Sequence, residues 1–168
     1  MRAWLYPLLF AALAFVGCGG HRYSPSRSQP LTARRTSEIN SGVREFMRNV
    51  AHDITQEGPT AWARYFEDSP TFFMEVNGRK EFPNIAAARA AIPNIALAIK
   101  HIELTWGDDL RVDSITVDHA VVSCSYYEVR FDSSGQRVEE SGHFTGTAEF
   151  RDGRWQFLNL QWTIPAGS

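Results

Sequence analysis

Residues 151–163 read RDGRWQFLNLQWT. Asp152-Gly153 is a two-residue hairpin signal. The alternating run after it predicts a strand over 155–164 in which Trp155, Phe157, Asn159, Gln161 and Thr163 share one face, apolar first and polar last. Reading back from this hairpin, the chain keeps the same habit. Residues 138–150 form its other strand, and Ser133-Ser134-Gly135 turns into a longer strand over 120–131. There Ala120, Val122, Cys124, Tyr126 and Glu128 share a face, again apolar then polar. Within 138–150, His143, Thr145 and Thr147 lie opposite Phe144, Gly146 and Ala148. Residues 100–106 and 110–117 complete an antiparallel β region.

Ahead of it the period changes. Ile39, Val43, Phe46, Val50 and Ile54 recur at steps of three and four, an amphipathic helix with Thr36 or Ser37 as N-cap and Gly58 as its stop. Pro59 suits the first turn of a second, short helix whose apolar face is Trp62, Tyr65 and Phe66. Asn77-Gly78 joins a strand over 71–76 to a short return strand over 79–82. A third helix starts near Asn84, and Pro93 is expected to break or kink it. Helices followed by antiparallel strands define an α+β domain with the helices on one face of a curved sheet.

The chain has 168 residues, 17 basic and 19 acidic, with 43% hydrophobic and 12% aromatic side chains. This length accommodates one core. The near-neutral balance argues against nucleic acid as partner, and the apolar content against disorder throughout. Two cysteines cannot build a disulfide scaffold or a four-sulfur zinc site.

Met1-Arg2 and the uncharged run Ala3–Val16 have the form of a secretory signal, shorter than the roughly 20 residues of a spanning helix. The run ends at Gly17-Cys18-Gly19-Gly20, which resembles the lipobox of bacterial lipoproteins, with Phe15 in place of the usual leucine. That resemblance implies removal of residues 1–17, acylation of Cys18, and anchoring in the cell envelope. The glycine after the cysteine does not match an inner-membrane retention signal, so the implied place is the periplasmic side of the outer membrane. Cys124 is then the one remaining thiol, expected to be buried and inert. Residues 18–36 read as a flexible linker carrying Arg22, Arg27, Arg34 and Arg35 and no acid. Residues 37–168 keep 12 basic residues and all 19 acids, a formal charge of −7. A basic tether also suits an anionic lipid surface.

The element order over 37–165 resembles the nuclear transport factor 2-like superfamily. The closing hairpin at 151–163 and the turn Asp118-His119-Ala120-Val121-Val122 look like its SnoaL-like branch. The resemblance implies a cone in which a curved sheet wraps three N-terminal helices around a pocket for a small apolar molecule. Placed on that cone, the expected lining is Trp62, Tyr65, Met74, Tyr126, Glu128, His143, Asn159 and Gln161, the last two at the lip. In the branch that resembles ketosteroid isomerases, the general-base aspartate falls at Met74, which takes no proton. Glu75 points the other way.

The acid–base candidates that remain are Glu128 and His143, with His101 isolated on a strand and His52-Asp53 on the solvent side of the first helix. No zincin, nucleophile-elbow, phosphate-loop, dinucleotide or EF-hand motif occurs. Nothing calls for a cofactor or a metal, and Asp108, Asp109 and Asp113 read as a turn and a solvated strand edge. The expected function is an exported, lipid-anchored domain that binds a small apolar molecule or a protein partner. A cofactor-independent isomerase, dehydratase or cyclase using His143 or Glu128 is the alternative. A further one is a module dimerising through Val121, Ser123, Ser125, Tyr127 and Val129 on the outer sheet face.

Overall fold

The computed structural model describes residues 30–165. The expected signal, Cys18 and most of the linker lie outside the described residues. Helix α1 (Ala33–Glu57) buries the expected stripe, with Met47 added beside Phe46. Its start corrects the expected boundary. Thr32, not Thr36 or Ser37, is the cap, with extended backbone and a hydroxyl that accepts the Arg35 N–H at 3.2 Å. Residues 33–36 therefore belong to the helix, and Arg34 and Arg35 both pair with Glu38 one turn on. Gly58, at φ 79, ends the helix with its N–H on the Ile54 carbonyl.

Pro59 opens a turn of 3₁₀ helix (Pro59–Ala61) that runs into the single turn α2 (Trp62–Tyr65). Strands β1 (Phe73–Val76) and β2 (Arg79–Phe82) flank Asn77 and Gly78, both at positive φ as a tight hairpin turn demands. Asn84 caps α3 (Ile85–Ala98) by accepting the Ala87 N–H at 2.9 Å. The helix runs through Pro93. A proline removes one N–H from the ladder, and the buried side chains of Ala88 and Ile92 hold the segment down.

Five strands follow: β3 (Ile99–Trp106), β4 (Arg111–Ser114), β5 (His119–Asp132), β6 (Arg137–Arg151) and β7 (Arg154–Thr163). β4 is shorter than expected because the N–H groups of Ile115 and Thr116 both turn onto the His119 carbonyl. The sheet order is β2-β1-β7-β6-β5-β3, with β4 on the first half of β5. β1 runs parallel to β7 and every other pair is antiparallel. The stripe of α1 packs on the inner face, where Phe46 meets Phe157 at 4.7 Å and Trp106 Nε1 donates to the Met47 carbonyl at 2.8 Å. Among the described residues no helix is long and apolar enough to cross a membrane.

One irregularity decides which side chains face inward. Thr147 pairs with Asn159 but Ala148 pairs with Phe157, so Leu158 is an extra residue in β7. The bulge shifts the phase of the strand. Phe157 faces inward before it, and Leu160 and Trp162 join the core after it. On the outer face, Tyr127 is exposed, whereas Val129 is buried, so the expected sticky patch is smaller than its alternation implies.

Candidate functional site

Between α2, α3 and the inner sheet face lies a cavity of about 370 Å³ that is partly open to solvent. Its walls are apolar. Trp62 and Phe66 come from α2 and its C-cap, Met74, Val76 and Phe82 from the first hairpin, Ile92 and Ile95 from α3, Ile99 and Ile102 from β3, and Trp162 and Ile164 from the end of the chain. Trp62 and Trp162 meet edge to face with ring centres 6.0 Å apart. The volume matches ordinary small-ligand sites, which begin near 300 Å³.

The polar part of the lining is Glu81, Glu128, Arg130 and Glu140. Alternation on β5 carries Glu128 and Arg130 to the inner face, and antiparallel register sets Glu140 of β6 directly opposite Glu128. The Arg130 guanidinium bridges the two carboxyls, with Nη1 at 3.1 Å from Glu128 and Nη2 at 3.1 Å from Glu140. The Tyr126 hydroxyl donates to the other oxygen of Glu140 at 2.9 Å. Glu128 is 8% exposed. Burial pushes its carboxyl up to about 7, with Arg130 opposing the shift and Glu140 adding to it. A carboxyl so placed can hold or release a proton near neutrality.

The structure divides the expected site residues. Trp62, Met74 and Glu128 line the cavity. Tyr126 is buried against Trp162 at 4.7 Å, and its hydroxyl reaches the site through Glu140. Tyr65 does not line the cavity. Its hydroxyl donates to Asp53 on α1 at 2.5 Å, beside Arg64, and it belongs to a separate groove with Glu45 and Trp155. His143 is exposed on the outer face, where Nε2 lies 2.9 Å from the Ser123 hydroxyl. The reason is the fully buried Phe144 and Ala148, which claim the inner face of β6. Asn159 and Gln161 are also outside, moved there by the Leu158 bulge. Gln161 lies against Glu75 at 3.5 Å, and Trp162 and Ile164 take the inner places.

Of the remaining acid–base candidates, His101 is exposed beside Glu103 at 3.0 Å. His52 is exposed, whereas Asp53 is half-buried and held below the usual carboxylate range, first by the Tyr65 bond and then by Arg64. Asp109 accepts the N–H and hydroxyl of Ser125, and Asp113 pairs with Arg111. Among the described residues no group of three potential ligands could hold a metal ion.

Arg130, Glu140 and Glu81 are missing from the sequence reading. The signal for Arg130 is present, since the face Tyr126-Glu128 continues to it at the next alternate position. Glu140 needed the β5–β6 register, which the loop length alone does not set.

These elements in this order, with a curved sheet around α1, are the nuclear transport factor 2-like fold. Solved structures share this fold. A candidate scytalone dehydratase from Novosphingobium aromaticivorans superposes with a TM-score of 0.70 at 11% identity, covering 80% of this chain and 89% of that one. A nuclear transport factor 2-like protein from Salmonella enterica matches with a TM-score of 0.62 at 14% identity over 82% and 96% of the two chains. A hexachlorocyclohexane dehydrochlorinase from Novosphingobium barchaimii gives 0.61 at 14% over 82% and 97%. No family model matches the sequence, and no curated protein matches it.

Proposed function

We propose that the domain binds a small apolar molecule in the cone, and that the chain is exported and anchored through acylated Cys18. The observation that carries the binding reading is the 370 Å³ cavity, walled by tryptophan, phenylalanine, methionine and isoleucine side chains from five parts of the chain. An unfilled apolar hollow forfeits packing contacts that its lining would otherwise make. A ligand restores them. Trp62 and Trp162 stand in the wall, so saturable quenching of tryptophan fluorescence by ethylbenzene is the direct test. Ile95→Trp places extra bulk in the hollow and should abolish that quenching while the circular dichroism spectrum persists. Absence of saturable binding in the unmodified protein overturns the reading. For the anchor, Cys18→Ser should release the protein from membranes, and unchanged membrane association overturns it.

Enzyme chemistry has one specific observation in its favour, the buried Glu128 carboxyl poised near neutrality on the cavity wall. His143 contributes nothing to that reading, because it is exposed on the other side of the sheet. Met74 stands in the wall without a proton to exchange. Glu128 would act as the base, with Arg130 holding the ionised form. Exchange of α-hydrogens for deuterium in small cyclic ketones tests it, with loss in Glu128→Gln expected and equal exchange in that variant counting against it.

A further inference from the structure

The polar pole of the cavity has a sign. Three carboxyl groups, from Glu81, Glu128 and Glu140, share the lining with one guanidinium, that of Arg130. Both terminal nitrogens of Arg130 are already engaged, one by Glu128 and one by Glu140. An anionic ligand would have to displace one of these carboxyls to reach the guanidinium, and would meet the remaining negative charges at close range. Glu81 is exposed in the same lining. Fully ionised, this end of the cavity is negative by two charges.

The apolar walls penalise a bare cation as they penalise any buried charge, so its head must reach the carboxyls. Trp62 stacks on Phe66 and Trp162 on Trp106, so the tryptophans bound the apolar body of a ligand and the carboxyls its charged head. Room is limited to about a dozen water-sized atoms at ~30 Å³ each, enough for an aromatic or short branched body with one charged head. Glu128, buried between Arg130 and Glu140, is held partly protonated by its surroundings. An ammonium beside it would supply the compensating charge that one shared guanidinium does not.

We infer that the cavity is a site for a small hydrophobic amine, its apolar body between Trp62, Ile95 and Trp162 and its ammonium donating to Glu128 and Glu140, with Glu81 at the entrance. This rests on the pocket reading given above and narrows its ligand class.

The test uses the full chain purified in detergent and four probes of one shape: ethylbenzene, 2-phenylethanol, phenylacetate and 2-phenylethylamine. Calorimetric titration at pH 8 should rank the amine about tenfold tighter than the alcohol, the gain of a charge-assisted hydrogen bond, and phenylacetate weakest. Glu128→Gln and Glu140→Gln should each erode the advantage of the amine while leaving ethylbenzene binding in place. If ethylbenzene binds and the amine gains nothing over the alcohol, or if phenylacetate binds most tightly, the amine inference falls and the pocket reading stands. An amine preference unchanged in both variants also overturns it, because the ammonium would then sit elsewhere. If none of the four probes binds, both fall together.

Discussion

Arg151 brings a guanidinium nitrogen to 2.5 Å from a carboxylate oxygen of Glu67, a side chain 2% exposed. Neither Glu67 oxygen has a well-directed hydrogen bond, and Glu149, also in contact with Arg151 at 2.9 Å, shares the same corner. Burial, followed by Glu149, pushes the Glu67 carboxyl up to about 7, against the attraction of Arg151. The corner lies at the opposite end of β6 from Glu140, where the N–H of Glu67 also bonds the Phe157 carbonyl at 2.9 Å.

Stability should therefore fall as pH rises across this corner. A carboxyl raised in the folded state binds its proton where the unfolded chain does not, so its contribution is fully present below pH 4.5 and is lost as pH rises through about 7. Glu67→Gln should flatten that decline, raising the Tm at pH 8 by roughly 3 °C, a change near 1 kcal/mol in a domain this size. Arg151 keeps Glu149 as partner in this variant. Arg151→Met should do the reverse, lowering the Tm more at pH 8 than at pH 5. Parallel pH profiles for all three proteins would refute the assignment.

The start of α1 is tested by its cap. Thr32→Ala removes the acceptor for the Arg35 N–H and should cost about 1 kcal/mol in urea unfolding. Thr36→Ala, at the position the sequence pattern favours, should change stability by less than about 0.5 kcal/mol. The opposite order would return residues 33–36 to the linker.

Cys124 is fully buried, and burial, then the nearby Asp109 charge, pushes its thiol up to about 12. In a Cys18→Ser background it is the sole thiol. Maleimide should leave it unmodified in the native protein at pH 8 and react within minutes in denaturant. Rapid native labelling would mean that β5 opens readily at its centre.

Much of this architecture was legible because it rests on local signals. The α1 stripe, the Asn77-Gly78 turn and the alternation of β5 each depend on side-chain period or turn chemistry within one element or turn. Glu128 was legible for the same reason. The site around it was not, because two of its features are relations between strands. Glu140 reaches Glu128 through register, and Arg130 matters because it bridges the two. His143 was drawn inward by its chemistry, whereas Phe144 and Ala148 settle the face of β6 by burial. For β7, unbroken alternation puts Asn159 and Gln161 inside. Phe157 and Leu160 are both fully buried three positions apart, a spacing that two-residue alternation cannot satisfy without an inserted residue.

That inserted residue is Leu158, and its role can be tested by removal. Deleting it restores simple alternation with Phe157, Leu160 and Trp162 still inside and Asn159 and Gln161 still outside. The deletion variant should therefore keep its cooperative thermal transition and its ethylbenzene binding. The double variant Asn159→Val, Gln161→Val changes the outer face alone, so it should melt within about 2 °C of the unmodified protein and still bind ethylbenzene. If the double variant loses binding while keeping its fold, the two amides face the cavity after all and the bulge does not set the phase of β7.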